Sequence, residues 1–290
     1  MDIEKVKKLS KYDCLVYWIR ERENVRIKKE RGQPKPWTDD TILQSYRFCN
    51  ICRMEDSVSD WLLCNWYKPY YNHKNMVPAV ALARFFNLPS SLREITELVF
   101  CKGQAKLDQI KATVRALKKR GENVFNGAYI VSGTIGEDKI ESVTDYYVKS
   151  LVDDPLDIDT SSMEDTHHLI LQRYGYGSFM AGQVVADLRW AVDGSWRDRN
   201  TWAPVGPGSA RGLSRLVFED RDWITEAKKM KQDKFLHYFD SLVERLKEDL
   251  PEFITAKLEA HDYQNCLCEI DKYLRVLEGE GKPKARYQGV

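Results

Sequence analysis

The stretch Tyr174-Gly175-Tyr176-Gly177-Ser178-Phe179-Met180-Ala181-Gly182-Gln183-Val184-Val185-Ala186-Asp187-Leu188 decides how the chain is read. Two glycines one residue apart allow a tight turn with positive φ. Phe179, Met180, Val184, Val185 and Leu188 then recur at helical spacing, so a buried helix starts straight out of the turn. A Gly-x-Gly turn opening a helix leaves backbone N–H groups unpaired at the positive end of the helix dipole, which suits a phosphate. A plain tight turn explains the same glycines equally well. A second glycine turn, Pro204-Val205-Gly206-Pro207-Gly208-Ser209-Ala210-Arg211-Gly212, also runs into a helix and carries an arginine. Two glycine-hinged helix starts so close together form a pattern for a nucleic-acid backbone or a pyrophosphate.

Outward from these turns the text is helical. Residues 2–31 read as one amphipathic helix with Val6, Leu9, Cys14, Tyr17 and Trp18 on its apolar side and a densely basic end, stopped by Gly32-Gln33-Pro34-Lys35-Pro36. Thr38-Asp39-Asp40 offers a cap for a second helix, Ile42 to about Asp56, which would hold Arg47 and Asn50 among apolar residues. Polar groups in that setting are costly unless paired, so they mark a buried network or a site. Further helices are expected over 57–67, 77–86, 92–101, 104–120, 139–151 and 162–173, then 222–231, 234–250 and 263–277. Ala128-Tyr129-Ile130-Val131 is the only strand-like text. The expectation is an all-α chain.

Composition narrows the function classes. At 290 residues the chain can bury a sizeable core in one large domain or two lobes. With 45 basic and 44 acidic residues, any nucleic-acid affinity must come from local clusters of charge. No apolar run is long enough to span a bilayer and the N-terminus is charged, so no membrane partner and a cytoplasmic location are expected. Of the seven cysteines, Cys49 and Cys52 are three apart and Cys266 and Cys268 are near neighbours, but no second unit of matching spacing follows either pair. Buried thiols, no metal and no cofactor are expected. No P-loop, G-x-S-x-G or H-E-x-x-H occurs.

The last helix carries the most suggestive polar set. Asn265, Glu269 and Lys272 fall on one face, with Arg275 a turn further and Asp262 just ahead. An exposed ion-pair ladder accounts for this spacing. The interleaved Cys266, Leu267 and Ile270 instead suggest a packed helix whose polar face borders a cleft.

These residues bear a resemblance. Gly175-Tyr176-Gly177-Ser178-Phe179-Met180-Ala181 resembles the hairpin of helix–hairpin–helix DNA glycosylases. A closer likeness is to the phage α-glutamyl/putrescinyl-thymine pyrophosphorylases, which are related to the helical domain of 5-hydroxymethyluracil DNA kinases. It runs through Pro36-Trp37-Thr38-Asp39-Asp40, Tyr46-Arg47-Phe48-Cys49-Asn50, Arg84-Phe85-Phe86-Asn87, the two glycine turns, and His261-Asp262 through Leu267-Cys268-Glu269-Ile270-Asp271-Lys272-Tyr273. The resemblance implies a glycosylase-like, two-lobed helical fold with a cleft, lobe one spanning roughly 40–215, lobe two 1–35 with 216–278, and a basic arm at 279–290. It implies double-stranded DNA with a modified pyrimidine as substrate and an amino acid or amine as co-substrate. That amine would displace pyrophosphate from the 5-methylene of pyrophosphorylated 5-hydroxymethyluracil.

On that reading Gly175, Gly177 and Ser178 face DNA phosphate, while Gly206, Gly208, Ser209 and Arg211 face the pyrophosphate. Arg47 and Asn50 contact the base or the leaving group. Glu269, beside Lys272, takes the amine proton, because an attacking ammonium must first be deprotonated. The glycosylase aspartate that follows the hairpin helix aligns with Val205-Gly206-Pro207, where no carboxylate stands; Asp193 and Asp198 lie earlier and would be its substitutes. The alternatives are therefore a glycosylase that excises hypermodified pyrimidines, as an anti-phage defence, and a non-catalytic DNA-binding partner of a kinase.

Overall fold

The computed structural model describes residues 3–127, 137–219 and 222–281. Over these the chain is all-α, with no strand among them. The strand-like text at 128–131 and most of the expected basic arm lie outside the described residues. Two compact units divide the chain: one of Met1–Asp56 with Asn200–Val290, the other Ser57–Arg199. The division expected at 35–40 and 215–216 does not coincide with this one, because α3 (Thr41–Ser45) and α12 (Pro207–Val217) both pack on α16 (Ala260–Leu277).

The first unit opens with α1 (Ile3–Val6) and α2 (Lys11–Glu30). The single helix expected over 2–31 is broken ahead of Ser10, whose hydroxyl accepts the Asp13 N–H at 3.1 Å and so starts a new helix in place of continuing the old one. Leu15, Trp18 and Ile19 give α2 its buried face. Asp40 caps α3 by accepting the N–H groups of Ile42 (2.8 Å) and Leu43 (3.1 Å). Its other oxygen accepts the hydroxyls of Tyr17 (3.1 Å) and Tyr273 (2.6 Å), so a carboxylate with no exposure is fully paired. The helix expected from Ile42 to Asp56 ends at Ser45. Tyr46 and Cys52 are extended, and only a 3-10 turn at Arg53–Glu55 follows.

The second unit contains α4 (Ser57–Leu62) running into a π-helical turn Leu63–Tyr67, α5 (Met76–Phe86), α6 (Pro89–Val99) and α7 (Leu107–Lys119). After these come α8 (Lys139–Glu141), a π turn Ser142–Tyr147, α9 (Lys149–Asp153), α10 (Met163–Leu171) and α11 (Ser178–Ala191). Asn87 stops α5 in the left-handed region at φ 48°. Pro89 occupies the first turn of α6, where its missing N–H costs nothing. The centre of this unit is polar as well as apolar. Arg84 pairs in two-pronged fashion with Asp187 (2.5 and 2.9 Å) and reaches Ser59 Oγ (2.9 Å) and Asn87 Oδ1 (3.2 Å). The Tyr67 hydroxyl donates to the same carboxylate. Arg84 and Asp187 are both buried.

The chain then returns to the first unit through α12, α13 (Trp223–Lys228), α14 (Gln232–Asp249), α15 (Glu252–Thr255) and α16. Gly208 and Gly212, one turn apart on α12, set the approach of α12 to α16. A Cβ at Gly208 would stand 3.0 Å from Cys268 Sγ, and one at Gly212 would stand 2.0 Å from the Leu267 carbonyl oxygen. At Gly212 only glycine allows backbone contact this close, whereas at Gly208 the Cys268 side chain would have to shift slightly.

Candidate functional site

In the first unit the non-helical segment after α3 is held by side chains from distant helices. Arg22 on α2 donates from Nε to the Cys49 carbonyl (3.0 Å) and from Nη2 to Asn50 Oδ1 (2.5 Å). Asn50 donates its side-chain N–H to the Glu55 carbonyl (2.6 Å) and its backbone N–H to Asp56 (3.0 Å). Asp262 at the start of α16 accepts the Arg53 N–H (2.7 Å) and, on its second oxygen, the Glu259 N–H (2.9 Å). The backbone groups that a helix would have paired internally are thus paired from α2 and α16. Asn50 is consumed in this network and is not presented as a ligand-contacting group. Arg47, on the same segment, is exposed and makes no ion pair among the described residues.

Glu269 meets this segment from α16. Its Oε2 accepts the Cys49 N–H (3.1 Å) and the ammonium of Lys272 (2.6 Å), and Oε1 has no partner among the described residues. The side chain is 9% exposed. Lys272 also sits 4.8 Å over the Phe48 ring. The outcome for the last helix is therefore a packed polar face in which Glu269 is buried, not an exposed ladder. Around it, burial pushes the Cys49 thiol well up and the Asp56 carboxyl up, and draws the Arg22 guanidinium down. A neutral buried thiol is a poor nucleophile. Cys49 is accordingly a packing group.

On the neighbouring side of α16 lies Asp271, 1% exposed, which the sequence reading did not single out. Arg211 Nε reaches its Oδ2 at 2.9 Å and Arg215 Nε its Oδ1 at 3.1 Å, four residues apart on α12. Arg275 on α16 approaches Oδ2 at 3.6 Å. Arg215 is buried and fully engaged, pairing also with Glu278 (2.7 Å) and Glu280 and stacking 3.7 Å over Trp223. Lys11 pairs with Glu278 as well. Arg211 keeps its outer nitrogens free, with a side chain 41% exposed.

The Gly206–Gly208 loop is the start of α12. Gly206 is its N-cap at φ −127°, and its N–H is donated to Ser209 Oγ (3.0 Å), which in turn accepts from Gln264 (3.1 Å). The expected hinge is therefore a capped helix start. Ser209 serves the cap, and Gly208 serves the contact with Cys268. Burial beside Glu269 and Asp271 pushes the Cys268 thiol up to about 12 despite Arg211 and Lys272, so it too is neutral.

The other sequence-derived candidates belong to the second unit. Gly175 adopts φ +87°, and a Cβ there would run into the Tyr147 ring at 2.0 Å; Gly177 is the N-cap of α11 at φ −84° and needs no such freedom. Only one of the two glycines is conformationally required. Ser178 opens α11, and its carbonyl oxygen lies 3.1 Å from His167 Nε2 on α10. Tyr174 and Phe179, on either side of the turn, are exposed. Asp198 accepts the N–H groups of Met163 (2.8 Å) and Glu164 (3.0 Å) and the Ser162 hydroxyl (3.1 Å), which makes it a second cap for α10. Asp193 is exposed and accepts from Tyr71 (2.9 Å) and Asn72. Among the described residues no three His, Cys, Asp or Glu side chains gather as metal ligands, and no helix is long and apolar enough to cross a membrane.

The chain matches a known family. The model of the 5-hmdU DNA kinase helical domain covers residues 10–282, and the chain belongs to that family. It is 27% identical over 223 residues to the 5-hmdU DNA kinase of Bacillus phage SP10, covering 69% of this chain and 35% of that protein. The chain thus spans about a third of the length of this relative. No solved structure matches.

Proposed function

We propose that the chain acts in DNA base hypermodification, transferring an amino acid or amine onto the 5-methylene of pyrophosphorylated 5-hydroxymethyluracil in DNA. The observation that carries this reading is Glu269, a buried carboxylate with one oxygen fixed by the Cys49 N–H and Lys272 and the other unpartnered. A base must be held yet keep a lone pair for the incoming proton. The amine nitrogen attacks the methylene carbon as the C–O bond to pyrophosphate breaks, and the ammonium proton passes to Glu269 Oε1. Arg211 meets the departing charge, as preorganised cations do in phosphoryl chemistry. Membership in a family named for 5-hmdU DNA kinase supports a modified thymine in phage DNA as the target.

The helix–hairpin–helix, two-lobed reading belongs to this proposal. The α10–turn–α11 element supports it, with Gly175 at positive φ and exposed aromatic side chains on both flanks. The target base would leave the stack to reach the glutamate. Asp198 is spent on capping α10, which counts against base excision by that residue.

The test supplies duplex DNA containing pyrophosphorylated 5-hydroxymethyluracil with candidate amines, followed by nucleoside digestion and mass spectrometry. An amine-bearing nucleoside with released pyrophosphate is expected, and Glu269→Gln lowers its rate about a hundredfold with folding retained. Free base with abasic sites would replace this reading by excision. DNA binding without product would reduce the chain to a binding module.

A further inference from the structure

We infer that Arg211 and Arg275 form a two-guanidinium fork for a phosphate-class oxyanion, mounted on the buried carboxylate of Asp271. The proposed transfer is used only to name the oxyanion as pyrophosphate. Arg211 comes from α12 and Arg275 from α16, and both direct Nε to the same oxygen, Asp271 Oδ2, at 2.9 and 3.6 Å. Arg211 Nε hydrogen-bonds this oxygen, whereas Arg275 Nε is buried with no hydrogen-bond partner and faces it by charge alone; the Arg211 and Arg275 side chains as a whole are 41% and 37% exposed. Arg211 is therefore hydrogen-bonded at its inner edge and Arg275 only ion-paired there, and both side chains are partly exposed. Arg211 makes no other hydrogen bond or ion pair among the described residues; Arg275 makes no side-chain hydrogen bond there, and its charge also acts on Glu280. An arginine held by Nε still offers both terminal amino groups, in the planar geometry that grips a phosphate by two hydrogen bonds.

The surroundings explain why these two remain open. The nearby carboxylates Glu278 and Glu280 are taken by Arg215, which sits under the pair and fills the other oxygen of Asp271. Glu269 is taken by Lys272 and the Cys49 N–H. The Cys268 thiol is neutral and adds no opposing charge. Rigidity comes from Gly208 and Gly212, which bring α12 into backbone contact with α16, so both arginines stand on fixed helices and not on loops. Arg211–Asp271 and Arg275–Asp271 as mere surface pairs would add little stability. Their shared anchor and open outer edges are what an anion site needs.

The probe is inorganic pyrophosphate, titrated calorimetrically into the full chain. Wild type is expected to bind it. Arg275→Ala and Arg211→Ala are each expected to weaken binding about tenfold or more, since charge-assisted hydrogen bonds are lost. Arg275→Lys keeps the charge but loses the fork, and is expected to restore only part of the affinity with an unchanged melting temperature. No binding by wild type, or full-affinity binding by both alanine variants, overturns the fork. Pyrophosphate binding that depends on both arginines, without amine transfer to DNA, leaves the fork standing and removes the proposed reaction. Amine transfer with pyrophosphate affinity indifferent to both arginines does the reverse.

Discussion

Each unit of the molecule places an arginine against a buried aspartate, and the two pairs are finished differently. In the second unit Arg84 spends its guanidinium on Asp187, Ser59 and Asn87, and Asp187 also receives Tyr67. In the first unit Asp271 gathers three arginines, of which Arg215 is saturated while Arg211 and Arg275 have partly exposed side chains whose outer nitrogens make no hydrogen bond or ion pair among the described residues. Glu269 repeats the pattern on the acidic side, with one oxygen engaged and one open. A closed network can only hold the fold together. One left open to solvent adds little stability and leaves donors that a ligand can take.

The sharpest way to break this comparison is to truncate both arginines. Arg84→Met strands the Asp187 charge in the core and is expected to cost about 3–5 kcal/mol of unfolding free energy. Arg211→Met is expected to cost under about 1 kcal/mol, because its side chain is partly exposed and Asp271 keeps Arg215. Urea denaturation of the two variants decides it, and equal losses would erase the distinction between closed and open networks.

Proton linkage gives the next largest effect. His167 on α10 is buried, and loss of solvation draws it down to about 4 from 6.5. Between those values the unfolded chain holds a proton that the folded chain does not. Its contribution is therefore complete above pH 6.5 and is lost as the pH falls toward 4, by up to about 3 kcal/mol. Comparing unfolding free energies at pH 7 and pH 4.5 tests this, and His167→Gln should flatten the slope in that window. A slope unaffected by the substitution would assign it to other groups.

Smaller still is the expected cost of closing the gap between α12 and α16. Gly212→Ala sets a methyl against the Leu267 carbonyl and is expected to cost about 1–3 kcal/mol. If the helices part to admit it, pyrophosphate affinity should fall with stability, tying the helix approach to the arginine fork. A destabilised variant with unchanged affinity would separate the two.

Local chemistry is the part the sequence by itself determined. Apolar residues at helical spacing specify α5 and α11, the Asp40 and Ser162 side chains start α3 and α10, and Gly175 supplies the one positive φ that its turn requires. These features depend on neighbours a few residues away, and so the all-α class was legible, as was the polar face of the last helix. Tertiary structure alone decided the end of α3 and the character of the site. Phe48 and Ile51 fall at helical spacing, yet the segment is drawn out because Arg22, Asp262 and Glu269 satisfy its backbone from α2 and α16. Nothing near residue 271 announces that two arginines sixty residues earlier will meet it, or that Arg211 will stay open where Arg215 is closed. Hydrogen bonds between distant elements carry no period in the sequence, and whether a polar group is structural or available depends on which of its valences the folded surroundings leave empty.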